Sequence, residues 1–252
     1  MKKKLMIAFI SMGVIGVANA ENLPDISVGL NLTDGNSETL GLNVGADLVK
    51  KTGAHEVLLH ADYNFAENTT SSESVAADGS TVTTEEDQTT IDNFNVDGQV
   101  NHLVNDNTYL LLKNSYGEDD IADIDFRDVL SVGLGHYLIK GDDANLGIEI
   151  GPAYTWEEVA GIEDDFFGWR LGERYDRKIS DTSSVYQSFE YLPDDEFDEY
   201  LLNFVLGLET AVAGNTSLKI ELSDNYDSLP AAGKDENDLS LTAAIVYSPS
   251  AE

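Results

Sequence analysis

The chain contains no cysteine. Disulfides, a lipid-modified N-terminal cysteine and thiolate zinc sites are therefore excluded together. Basic residues are scarce, 14 Lys and Arg against 47 Asp and Glu, for a formal charge of −33. So negative a surface repels nucleic acid, which is not an expected partner. Beyond residue 20 no apolar run reaches the roughly eighteen residues of a membrane-crossing helix. Helical periodicity is also missing. The glycines do not form a phosphate cradle: Gly133, Gly135, Gly147 and Gly151 alternate within extended segments with no helix after them. They are expected to relieve crowding or to let a sheet bend.

What is present begins with an export signature. Lys2, Lys3 and Lys4 precede an apolar stretch over 5–17, and Ala18-Asn19-Ala20 offers a small-x-small cleavage site. Residues 1–20 are thus expected to be a signal peptide, and 21–252 a single barrel domain. Cleavage would remove three lysines and no acid, making the remainder more acidic still.

The rest of the chain has a period of two. Twelve strands are expected near 25–33, 38–50, 55–66, 89–102, 107–117, 126–139, 145–157, 166–179, 184–192, 198–212, 216–227 and 238–248. Leu40, Leu42, Val44, Ala46 and Leu48 oppose Gly41, Asn43, Gly45 and Asp47. Leu218, Ile220 and Leu222 oppose Lys219, Glu221 and Ser223. Alternation alone fits both a soluble sandwich, with the apolar face inside, and a membrane barrel, with that face toward lipid. The connections favour the barrel. Tight turns at 51–54, 104–107, 141–144, 180–183 and 213–216 alternate with acidic, more variable loops at 34–39, 68–88, 118–125, 158–165, 193–196 and 228–237. The expected fold is a closed antiparallel transmembrane β-barrel of about twelve strands, with short periplasmic turns, acidic external loops and both termini on the short-turn side. Residues 68–88 are expected to be a flexible external loop, or alternatively a protruding hairpin turned at Asp78-Gly79. Aromatics such as Phe65, Tyr154, Trp156, Trp169 and Tyr226 fall near strand ends, where a bilayer interface favours amphipathic rings.

Candidate sites are few. Arg170, Arg174 and Asp176 share one face, and Glu149 and Glu190 are polar-face residues of the flanking strands. They form a candidate lumen charge cluster, serving either as a structural ion-pair network or as a selective constriction. Asp34-Gly35-Asn36-Ser37 reads as a structural turn. His55 and His60 are five apart, so a strand puts them on opposite faces and they make no metal pair. His102 and His136 fall on the apolar face, and no Ser/His spacing marks a hydrolase. No cofactor and no specific metal site are expected, although divalent cations could gather at the acidic loops.

The segment VGLNLTDGNSETLGLNVGADLVKKTG (28–53), with its Asp34-Gly35-Asn36-Ser37 turn, resembles the opening hairpin of the salt-induced outer membrane protein family (YdiY-like), a domain family of unknown function. Gly133-Leu134-Gly135-His136-Tyr137 is similar to that family's Gly-x-Gly-Tyr strand, with His136 inserted. Gly151-Pro152-Ala153-Tyr154 is similar to its Gly-Pro-x-Tyr element, and 239–247 to its closing strand. The resemblance implies an outer-membrane barrel in contact with lipid and the barrel-assembly machinery. It also implies a structural or salt-adaptation role and brings no catalytic residues. The alternatives are a narrow cation-preferring diffusion channel, a barrel hydrolase and a soluble periplasmic β-protein. One departure is the tail: such barrels usually end in an aromatic, whereas Tyr247 is followed by Ser248-Pro249-Ser250-Ala251-Glu252.

Overall fold

The computed structural model describes residues 24–34, 39–75 and 81–249. The expected signal peptide, the turn residues Gly35, Asn36 and Ser37, the Asp78-Gly79 turn and the last three residues lie outside them. Twelve strands follow one another: β1 (Asp25–Asp34), β2 (Thr39–Thr52), β3 (His55–Val75), β4 (Thr81–Leu103), β5 (Thr108–Asp119) and β6 (Ile124–Lys140), then β7 (Ala144–Val159), β8 (Ile162–Lys178), β9 (Ser183–Pro193), β10 (Tyr200–Ala213), β11 (Thr216–Asp227) and β12 (Asn237–Tyr247). Each pairs antiparallel with its chain neighbours, and β1 pairs with β12 from Ile26↔Tyr247 to Asp34↔Leu239. The ring is therefore closed and leaves no edge, the condition for exposing strands to lipid.

Which face lies inside is settled by exposure. Leu30, Leu42, Leu134, Ile150 and Ile245 are each about half exposed, at 49%, 59%, 53%, 55% and 52%. The buried side chains include many polar ones, among them Ser27, Asn31, Asn43, Glu56, Asn64, Asn101, Thr155, Arg170 and Lys219, beside apolar ones such as Leu111, Val129 and Val246. A soluble sandwich would reverse this arrangement. An exposed apolar belt around the whole circumference has no stable home in water, and lipid is the solvent that matches it. The expected transmembrane barrel is thus the observed fold.

Two of the expected loops prove to be strand. Residues 68–75 and 81–88 continue β3 and β4 as a paired ribbon, Asn68↔Gln88 through Val75↔Thr81, above a register shift at Ala66/Glu67. Of the two readings of that segment, the hairpin is the one found. Residues 158–165 reduce to a two-residue turn, Ala160-Gly161, both at positive φ (51° and 75°), with Glu158 paired to Glu163. The acidic side chains misled the sequence reading. Strands that project into water need no apolar face, so their composition imitates a loop. Conversely, 193–196 was too short, since the connection runs 194–199. The barrel thus has a turn end, with the connections after β2, β4, β6, β8 and β10, and a loop end, with the others.

Candidate functional site

The interior of the barrel is crossed by charge. Arg170, midway along β8, lies flat on the lumen wall above Gly172, where any Cβ would press into its guanidinium. It donates from Nε to Glu190 Oε2 on β9 at 2.5 Å and from Nη1 to Glu149 Oε2 on β7 at 2.7 Å. All three side chains are nearly buried, at 8%, 13% and 12% exposure. The fork of a guanidinium suits two carboxylates better than an ammonium could.

The cluster extends to the opposite wall. Lys113 Nζ on β5 donates to Glu190 Oε2 at 2.6 Å and lies 3.8 Å from Asp97 on β4. Tyr109 and Gln99 both donate to Glu149 Oε1 at 2.7 Å. Tyr109 lies across Gly135, and Tyr186 across Gly207, leaving no room for a Cβ at either glycine. These glycines act as berths for large luminal rings. This is the observed form of the crowding relief expected of Gly135.

Of the five expected cluster residues, the structure joins Arg170, Glu149 and Glu190. Arg174 shares their face but stands exposed in the lumen. Asp176 lies nearer the turn end and accepts instead from Asn145 Nδ2 at 2.9 Å. Arg174 and Asp176 stand four and six residues beyond Arg170, about 13 and 20 Å along the strand, which carries both out of reach.

Sequence reading missed two further groups. At the loop end Arg127 of β6 donates to Glu157 of β7 at 2.5 Å and to Asp227 of β11 at 2.9 Å, spanning the barrel. On the other wall His60 lies between Asp47 (Nδ1 to Oδ1, 2.6 Å) and Asp62 (Nε2 to Oδ1, 3.2 Å). Both ring nitrogens face carboxylate oxygens, an arrangement that suits the doubly protonated, cationic ring. Strand parity could have marked Lys113 and Arg127 as inward. Their partners depend on the stagger of a closed ring, which no local spacing encodes.

One pattern recurs in these groups. Arg127 has two carboxylates, His60 has two, and the Arg170–Lys113 pair has three, Glu149, Glu190 and Asp97. Each of these three groups therefore holds one carboxylate more than its bases, whereas the luminal Lys219–Glu221 pair, 3.7 Å apart, is balanced and Arg174 adds an exposed cation. Asp47 and Asp97 are also open to water, their side chains 44% and 38% exposed.

The other histidines lie on the outer wall near the turn end. His55 and His102 are cross-strand partners with Nδ1 atoms 3.4 Å apart. His136 meets the Thr108 hydroxyl at 3.0 Å. Among the described residues no carboxylate orients its other nitrogen and no cluster of three metal-ligating side chains occurs.

A closed antiparallel ring with an apolar exterior and a charged interior defines a transmembrane β-barrel. Over residues 26–248 the chain matches the profile of DUF481, described as a protein of unknown function, and it belongs to that family. The sequence resemblance to a domain family of unknown function is thereby borne out. No curated protein sequence matches the chain significantly. Among solved structures it is similar to the NanC porin, at 11% identity and a TM-score of 0.54, covering 89% of this chain and 100% of that one. It is also similar to the translocator domain of the autotransporter NalP from Neisseria meningitidis, at 12% identity and a TM-score of 0.50, covering 96% and 94%. At such identities the likeness is one of fold.

Proposed function

We propose that this protein is a non-catalytic outer-membrane barrel whose lumen is a narrow, cation-preferring diffusion path. The observation that carries this reading is the excess carboxylate in the three largest luminal charge groups, together with water-exposed Asp47 and Asp97. A cation in a low-dielectric tube is stabilised by an uncompensated negative charge, and an anion is repelled there. Arg170 and Lys113 do not cancel this field. They hold three carboxylates in place and narrow the passage. The reading includes export through residues 1–20, insertion by the barrel-assembly machinery and the turn end facing the periplasm. The acidic loops would face outward, where divalent cations gather weakly. Salt adaptation fits such a path, since the ions concerned are small. The test is ion selectivity in a salt gradient across a planar bilayer. Asp47→Asn with Asp97→Asn should shift the reversal potential toward zero with little change in folding. An unchanged potential would remove these carboxylates from the path.

A second reading is favoured by one observation, the struts themselves. Arg127–Asp227 and Lys113–Glu190 join strands five and four places apart around the ring. If they fill the section completely, the barrel is a plugged structural element. It would then give no conductance steps although well folded.

A further inference from the structure

The β11–β12 connection, residues 228–236, does not stand up from the barrel. Its base is tied to β10: Ser228 N donates to Tyr200 O at 3.0 Å, and Tyr200 N donates to Ser228 Oγ at 2.7 Å. Ala231 is only 8% exposed, unusual for the crest of a surface loop. Gly233, at φ +89°, then turns the chain, with Lys234 N donating to Ala231 O at 3.0 Å. The Lys234 side chain ends 3.0 Å from Asp123 Oδ2 and also donates to the carbonyl of Ile121. Asp123 and Ile121 belong to the β5–β6 connection. In a ring of twelve strands that connection lies six places from the β11–β12 connection, on the opposite rim. The segment therefore crosses the mouth.

The composition of the rim gives this contact its weight. Lys234 is the only basic residue in the six loop-end connections. Its neighbours on the rim include Asp120, Asp123, Asp194, Asp195 and Glu236. Like charges of this density push the connections apart, and the lysine is the one cation that draws two opposite ones together.

We infer that residues 228–236 form a strap that gates the loop-end mouth, with the Lys234–Asp123 pair and the Ile121 carbonyl as its latch. This rests on the channel reading, whose regulation it names. The latch is partly exposed, with side chains at 24% and 51%, so its closure is weak and reversible. Lys234→Gln should raise the open fraction about two- to five-fold, the range that loss of one partly exposed ion pair allows.

The decisive experiment uses the absence of native cysteine. Asp123→Cys and Lys234→Cys are combined in the full-length protein. The substitutions remove the lysine side chain that now spans the gap between the two positions. A reducible bis-methanethiosulfonate linker of lysine-like length bridges them. Folding is checked by heat-modifiable migration in detergent, and conductance is recorded before and after reduction. Steps suppressed in the bridged protein and restored on reduction establish the strap as a gate. Equal steps in both states, with bridging confirmed by mass, overturn the gate and leave the channel reading intact. A variant with the strap shortened to a two-residue turn separates the remaining case. Steps from that variant alone support the gate. Silence from every folded form overturns the gate and the channel together.

Discussion

Arg170 is where the account can be tested most sharply at a single residue. Its removal strands Glu149 and Glu190 with one partner fewer at a nearly buried level. Breaking such a pair from one side costs about 3 kcal/mol. Arg170→Ala should therefore lower the unfolding midpoint in denaturant, while widening the passage and strengthening cation preference. Arg170→Lys should recover part of the stability, since an ammonium can reach one glutamate but not fork to both. A variant as stable as the parent would show that the network contributes little. At the rim, burial and the nearby carboxylates of Asp194, Asp164 and Asp227 hold the Glu199 carboxyl above its ordinary value of 4.5. The sign follows: the folded loop favours the protonated acid. Any stability Glu199 contributes is complete below the ordinary value and fades as pH rises through the raised one. Observed by side-chain NMR, Glu199 should titrate above 4.5, and Asp194→Asn should bring it down. The effect is modest because the group is largely exposed.

At the scale of elements, the β3–β4 ribbon separates into two parts. Below the register shift at Ala66/Glu67 its strands are walls of the barrel. Above it they pair only with each other, since β2 reaches no further than Phe65 and β5 no further than Asn93. Replacing residues 69–88 by a two-residue turn should leave heat-modifiable migration unchanged. A deletion that no longer folds would mean that the ribbon guides assembly. The same ribbon shows what the sequence could reveal. All twelve strands were legible from alternation, because a side chain has only two faces to choose from. The projecting ends of β3, β4, β7 and β8 were not, because strands bathed in water on both faces lose the pattern. The lumen cluster was legible as a face, through Arg170, Glu149 and Glu190. Lys113 and Asp97 were not legible as its members, nor Arg127 and Asp227 as a second group. Contacts across the barrel depend on how far each strand is staggered against the next, and that emerges only on closure.

For the whole molecule, closure converts a formal charge of −33 from a solubility property into an arrangement. Carboxylates concentrate at the loop end, while Lys50, Lys51, Lys140, Arg177 and Lys178 lie around the turn end. Between them lie the three luminal groups in which carboxylates outnumber bases. An electric gradient of this kind runs along the axis of the barrel. On the channel reading this gradient would draw cations toward the loop-end mouth and stabilise them inside. The apolar belt fixes the barrel in lipid, so the gradient lies across the membrane. The most direct measurement is single-channel recording of the refolded protein in a planar bilayer under a tenfold potassium chloride gradient. The account predicts small discrete steps whose reversal potential has the sign of cation preference. A folded barrel that passes no current, or one that prefers chloride, would contradict it.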